Sequence, residues 1–127
     1  MSAENLTEEK FGCRITLSRG GPVYQGTAHI VTDLSREGTW SGSADLAIDM
    51  RAANALGGQE VLIYLDDKKG WWMEGQAIVN RIQSSFKREG APEIPVETNI
   101  VFFDGLQDLH PLPPMSEEEA RQRGLLP

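Results

Sequence analysis

The sequence is poor in the residues that most catalytic and metal sites use. Its 127 residues include one cysteine and two histidines. A single cysteine cannot form an internal disulfide, which fits a reducing compartment. His29 and His110 lie far apart, without a Cys or carboxylate at metal-ligand spacing. We therefore expect no metal site, and we expect Cys13 to be a small buried residue rather than a catalytic thiol.

Long apolar runs and catalytic loops are missing as well. No stretch approaches the roughly 20 apolar residues that a membrane span needs. The N-terminus has no basic region leading into an apolar one, as a signal peptide would. Neither a glycine-rich phosphate loop nor a nucleophile elbow is present. These absences predict a non-enzymatic, cytoplasmic protein without a membrane span.

Positive charge is scarce. Twelve Lys and Arg against 19 Asp and Glu give a net charge of −7, which argues against binding to nucleic-acid polymers, because that binding depends on neutralised phosphates. The basic side chains of the first fifty residues are Lys10, Arg14, Arg19 and Arg36. Such a local cluster can bind a small anion, although these residues can equally be solvated surface charges.

Alternating apolar and polar residues are abundant. They predict strands at 14–18, 23–32, 39–48 and 71–82. The continuous apolar run at 61–65, with its β-branched and aromatic members, and the stretch 98–103 are predicted to be strands as well. Residues 51–59 are predicted to be a loop or at most one helical turn, and 84–96 an exposed loop. Six short strands without a long helical period indicate one all-β domain, an antiparallel barrel or sandwich.

The C-terminal residues follow a different pattern. Prolines after His110 should prevent the sheet from continuing, because proline lacks the backbone donor. Ser116 and the three glutamates after it form a capping box that opens a short helix, predicted to end at Gly124. The predicted organisation is a flexible segment 1–9, a barrel domain 10–109, and a proline step with a helix at 110–127.

One turn combines several ligand-binding chemistries. The hexapeptide Asp33-Leu34-Ser35-Arg36-Glu37-Gly38 links two alternating stretches. Asp33 and Ser35 supply side-chain oxygens, and Gly38 allows a positive φ or close approach of a ligand to the backbone. Such a turn can hold a polar ligand, or it can be a well-made turn without further function.

This hexapeptide resembles the Asp/Asn-x-Ser-x-x-Gly motif of PilZ domains. Lys10-Phe11-Gly12-Cys13-Arg14 stands where that family has Arg-x-x-x-Arg, just before its first strand. Segments 58–65, 75–82 and 100–106 are similar to later strands of the family, so the resemblance covers about residues 10–106. It implies a six-stranded antiparallel β-barrel that binds cyclic di-GMP, a bacterial second messenger, on its outer surface.

The resemblance also implies roles for individual residues. Arg14 would contact phosphate or guanine, Asp33 and Ser35 would contact guanine, and Gly38 would let the backbone approach. Lys10 replaces the family's first arginine, and it can contact a phosphate but cannot form a bidentate or stacked contact. Arg36 is a further ligand-binding candidate that can compensate if the fold brings it near.

These observations predict a PilZ-like receptor or adaptor that relays cyclic di-GMP binding to an unidentified protein partner. It would be a monomer or homodimer and would need no cofactor. One alternative is a PilZ-like barrel that no longer binds the nucleotide and contacts proteins through the proline step and C-terminal helix. A third reading is a barrel with an internal small-molecule cavity near Trp71 and Trp72.

Overall fold

The structure is a computed structural model that describes residues 6–17, 21–33, 39–66, 72–89, 94–112 and 116–122. The side chains of residue 6 and of 85–89 and 94–96 are outside this description. The elements of the described chain are, in order, β1 (Leu6–Thr16), β2 (Val23–Asp33), β3 (Trp40–Leu46), α1 (Met50–Leu56), β4 (Glu60–Asp66), β5 (Trp72–Glu89), β6 (Ile94–Gly105), β7 (His110–Pro111) and α2 (Glu117–Gln122).

Six of these strands close into an antiparallel barrel. Their order around the sheet is β4-β1-β2-β3-β6-β5, and β4 also pairs with β5, which joins the two edges. Closure leaves no free edge along the paired part of the barrel. The predicted fold, a six-stranded antiparallel barrel with a short C-terminal helix, is confirmed. No helix in the described ranges is long and apolar enough to cross a membrane.

The barrel interior is filled by every second residue of its strands, as period-two alternation requires. Burying these side chains is the main favourable term for folding, at about 25 cal/mol per Å² of apolar surface. The buried core side chains of the six strands are Phe11, Cys13, Ile15, Ala28, Ile30, Trp40, Ala44, Leu46, Val61, Ile63, Leu65, Ala77, Val79, Val101 and Phe103.

The first strand starts earlier than the sequence predicts. Residues 6–13 are already part of β1, so the predicted boundary between a flexible segment and the barrel at residue 10 falls inside a strand. The reason is the partner: β2 is eleven residues long, and its last four residues pair with the first four of β1, three of which are polar. Backbone pairing there outweighs the polar composition that favoured a loose segment.

Two predicted loops are regular structure instead. Residues 50–56 form two turns of helix α1, and the Asp49 side chain caps the helix by accepting from the Ala52 N–H at 2.8 Å. Residues 84–89 and 94–96 of the predicted exposed loop 84–96 are strand residues, and β5 and β6 stay paired as far as Glu89 and Ile94. Paired strands satisfy each other's backbone groups, so this extension needs little apolar sequence.

The prediction that the prolines after His110 end the sheet is wrong at Pro111, and the predicted C-terminal helix is confirmed. His110 and Pro111 do extend the sheet, as a two-residue strand paired with β5. Proline is tolerated at an edge because its missing N–H need not face a partner. Helix α2 begins after Ser116, whose Oγ accepts from the Glu119 N–H at 3.1 Å. Its predicted end at Gly124 lies outside the described residues.

Candidate functional site

Lys10 and Arg14 both lie within β1. Lys10 is exposed and faces His29 across the β1–β2 ladder, and Arg14 faces Gln25. Both side chains point to the outside of the barrel, because their neighbours Phe11, Cys13 and Ile15 point inward. The prediction that the first strand begins at Arg14, with Lys10 before it, is therefore wrong.

Asp33 ends β2 at the rim of the barrel, where it pairs with Leu6. Its backbone N–H donates to the Thr39 carbonyl at 3.1 Å, which brings the start of β3 back beside the end of β2. The hexapeptide thus connects two antiparallel neighbours, as its sequence predicts. Ser35, Arg36 and Gly38 lie outside the described residues.

The strand register separates Arg14 from Asp33. Their partner positions on β2 and β1 are eight residues apart, which corresponds to about 26 Å along a strand. Arg14 and Asp33 therefore lie at opposite ends of the β1–β2 pair, and they do not form one clamp around a ligand. Lys10 is four residues from the Asp33 position, about 13 Å, and shares its face.

Arg14 is already held by other side chains. Its Nη1 donates to the Gln25 Oε1 at 2.7 Å, and its guanidinium carbon lies 5.9 Å from the Trp72 ring centroid. Across the next ladder its neighbour is Tyr64, which is almost fully buried. These contacts fix Arg14 on the β1–β4 side of the barrel, away from the Asp33 rim.

A different set of side chains comes together near Asp33. The ladders align one residue from each of five adjacent strands in a single row across the outer face, and we call this the outer-face row. In the strand order β1, β2, β3, β6 and β5, its members are Lys10, His29, Ser43, Phe102 and Arg81. Four of them line an open cleft of about 520 Å³, which Val31, Ser41, Asn80 and Asp104 also line.

Arg81 reaches this face because of a β-bulge. The pairing of β5 with β6 is regular up to Val79, skips Asn80, and resumes at Arg81 opposite Phe102. Without the extra residue, Arg81 would follow Ala77 and Val79 into the barrel. With it, Ile82 packs against the core, and the Arg81 guanidinium carbon lies 3.9 Å from the Phe102 ring centroid.

Charges of both signs surround the cleft. His29 Nε2 lies 3.4 Å from the Glu8 carboxylate, and the Asn80 amide donates to Asp104 at 2.5 Å. Asp33 shares the outward side of β2 with His29 and Val31, about 7 Å beyond Val31. The cleft thus offers a cation stacked on an aromatic ring, two serine hydroxyls and acidic acceptors. This combination suits a planar ligand that carries both an anion and hydrogen-bonding edges.

Neither Cys13 nor Trp72 lines this cleft. Among the described residues, no three His, Cys, Asp or Glu side chains are grouped as metal ligands are. The Cys13 thiol faces the core, and burial raises its pKa to about 12, so it stays protonated near neutral pH. Trp72 lies on the outer side of the barrel beside Arg14, and the interior is filled by core side chains.

The sequence predicted Lys10 and Asp33 on this side of the barrel but missed Arg81, Phe102 and His29. Arg81 continues an alternating run whose earlier members face inward, so its position could not reveal its direction. Phe102 sits in a continuous apolar run, where alternation gives no indication of which aromatic faces out.

Comparisons with family models, with curated proteins and with solved structures found no match for this chain.

Proposed function

We propose that the protein is a non-enzymatic, PilZ-like receptor or adaptor of the bacterial cytoplasm that binds cyclic di-GMP in the outer-face cleft. The observation that carries this proposal is the placement of the Arg81–Phe102 stack and the Asp33 rim on one outer face of a closed six-stranded barrel. The hexapeptide's resemblance to the PilZ motif supports the choice of ligand.

The roles proposed for individual residues differ from those that the PilZ resemblance implies. Arg81 supplies the planar guanidinium that stacks on a base or pairs with a phosphate, the part expected of Arg14. Asp33 accepts hydrogen bonds from a guanine edge at the rim, and Ser43 offers a hydroxyl inside the cleft. Lys10 supplies a second positive charge in the same row for the other phosphate.

Calorimetric titration of the full chain with cyclic di-GMP tests this function. Arg81→Ala removes one charge-assisted contact worth about 1.5–3 kcal/mol, which is a loss of about tenfold to more than a hundredfold in affinity. Arg14→Ala should leave the affinity within about twofold, because Arg14 lies about 26 Å from Asp33. Arg51→Ala, at an exposed position of α1, is the matched control for removing one positive charge.

Two results would contradict the proposal. No binding of cyclic di-GMP at millimolar concentration would remove the receptor function. Binding that Arg14→Ala abolishes and Arg81→Ala leaves intact would move the site to the other side of the barrel.

A second function follows from the position of Arg14. Its guanidinium is held by Gln25 and Trp72 and is distant from Asp33, so Arg14 and Asp33 do not bind one nucleotide together. A PilZ-like barrel without nucleotide binding, working as a protein interaction module, fits this arrangement. The titration above separates the two functions.

A further inference from the structure

The chain's own C-terminal segment covers part of the outer face of the barrel. We call the described residues 110–112 and 116–122 the C-terminal strap. Leu112 and Ala120 of the strap are buried against Tyr64 of β4, with Leu62 and Trp72 packed around them. This cluster is separate from the barrel core. Tyr64 is only 2% exposed although it points outward, so the strap provides its cover.

The described backbone pairing between the strap and β5 is short. Strand β7 pairs only two residues with β5, Pro111 opposite Met73 and His110 opposite Glu74, and the Leu112 N–H donates to the Trp72 carbonyl at 2.8 Å. His110 Nε2 lies 3.4 Å from Glu74 Oε1, and that glutamate is buried beneath the strap. By contrast, β5 and β6 pair over most of their lengths.

Removing the strap would uncover two features that proteins rarely leave in contact with water. One is the backbone edge of β5 at residues 72–74, which accepts a strand. The other is the apolar patch formed by Leu62, Tyr64 and Trp72. An edge beside an apolar pocket is the arrangement with which sheets bind extended peptides: backbone bonds supply affinity and alternate side chains supply specificity.

We propose that the strap is a removable cover of a strand-binding site, and that a protein partner binds there by replacing it. The occupant is an extended segment that pairs with residues 72–74 of β5 and places an apolar side chain where Leu112 lies. The strap itself defines this chemistry. The proposal does not depend on nucleotide binding, because the strap and the outer-face row occupy different parts of the barrel.

Hydrogen exchange on the full chain is the first test. If the strap opens independently, the backbone amides of Leu112 and Ala120 exchange by local opening, while that of Ile63 on β4 requires unfolding of the barrel. We expect exchange at Leu112 and Ala120 to be at least tenfold faster than at Ile63 after correction for intrinsic rates. Equal protection of all three amides would overturn the proposal.

A peptide-binding experiment is the second test. The probe is a fluorescent peptide of residues 107–122, which carries the strap's own chemistry. Leu112→Asp in the full chain should release the strap and strengthen peptide binding at least tenfold. Leu106→Asp, at an exposed leucine outside the cluster, should not change it. A peptide that itself carries Leu112→Asp should not bind.

A disulfide lock completes the design. Met73 and Pro111 are direct partners across the β5–β7 ladder, so Met73→Cys with Pro111→Cys has the spacing for a cross-strand disulfide. The oxidised form should not bind the peptide, and reduction should restore binding. Equal binding to the oxidised and reduced forms would show that the peptide binds elsewhere and would overturn the proposal. If Leu112→Asp does not fold, the exchange data and the lock decide.

Discussion

Cys13 shows how burial sets the chemistry of a single residue. Its thiol faces the barrel core and is 3% exposed. Burial disfavours the thiolate and raises the pKa from 9.0 to about 12, against smaller lowering effects from the Gly26 backbone and the Arg14 charge. A cysteine in this state is an inert core residue, as its position in an alternating strand predicts.

This pKa shift makes the free energy of unfolding depend on alkaline pH. Because the folded pKa is above the unfolded value, the contribution to stability is complete below pH 9 and declines as the pH rises toward 12. Between pH 8 and pH 10 the protein should lose about 1.4 kcal/mol more than a Cys13→Ala variant, which has no thiol to titrate.

Urea unfolding of both proteins at the two pH values, under reducing conditions, measures that difference. Tyrosine and lysine titrations are common to both proteins and cancel in the comparison. Equal pH dependence in the two proteins would show that the thiol is not buried in the folded state.

At the scale of one element, helix α1 shows the importance of a cap. The helix has seven residues, too few to be stable by propensity alone. The Asp49 side chain satisfies the Ala52 N–H, while the buried Ala53 and Leu56 attach the helix to the barrel. The sequence predicted a loop or at most one helical turn here, because the stretch is short and two glycines follow it.

Removing this cap should destabilise the whole domain. Asp49→Ala leaves the Ala52 N–H without its side-chain acceptor and should lower the free energy of unfolding by about 0.5–2 kcal/mol. Asp49→Asn is the control, since asparagine caps equally well. Denaturant midpoints at constant m-value give both differences. If Asn proves as destabilising as Ala, the carboxylate charge rather than the cap is responsible.

At the scale of the whole molecule, Trp40 links strands across the barrel. Its ring packs edge-on against Phe103, and its Nε1–H donates to the Gln107 carbonyl at 2.6 Å. The ring lies directly over Gly105 of β6 and Gly75 of β5, which have no Cβ to obstruct it. One aromatic side chain on β3 thus fixes the positions of two other strands and the loop beyond them.

Gly105→Ala tests this contact, because the new Cβ would overlap Cε2 and Nε1 of Trp40. Overpacking of this kind should reduce the free energy of unfolding by about 1–3 kcal/mol. Gly12→Ala is the matched control: it is another strand glycine, and the nearest atom to its new Cβ is the Asp66 Cβ at 4.0 Å. That variant should be neutral or slightly stabilised. Equal effects of the two variants in urea unfolding would exclude the tryptophan contact as the cause.

The barrel could be predicted from the sequence because alternation is local. Each strand that buries one face, such as β2 or β3, shows its period directly, and the hexapeptide marks the β2–β3 connection. The polar start of β1 and the paired strand residues beyond residue 84 could not be predicted, because their pairing depends on the partner strand rather than on their own apolar pattern.

The candidate site could be predicted only in part for a related reason. Asp33 directly follows the alternating residues of β2, so its outward direction follows from the sequence. Lys10 lies in the part of β1 that the sequence did not predict as a strand. The distance between Arg14 and Asp33 depends on the register of two strands, which neither strand encodes alone.

The extra residue at Asn80 has a consequence for how this surface can change over evolutionary time. Moving the guanidinium at position 81 between solvent and interior requires no exchange of one amino acid for another, only the gain or loss of a single codon upstream in β5. A homologue that lacks one residue of this strand and is otherwise identical would present a different outer surface. Alignments that place their gap a few positions away would conceal that change.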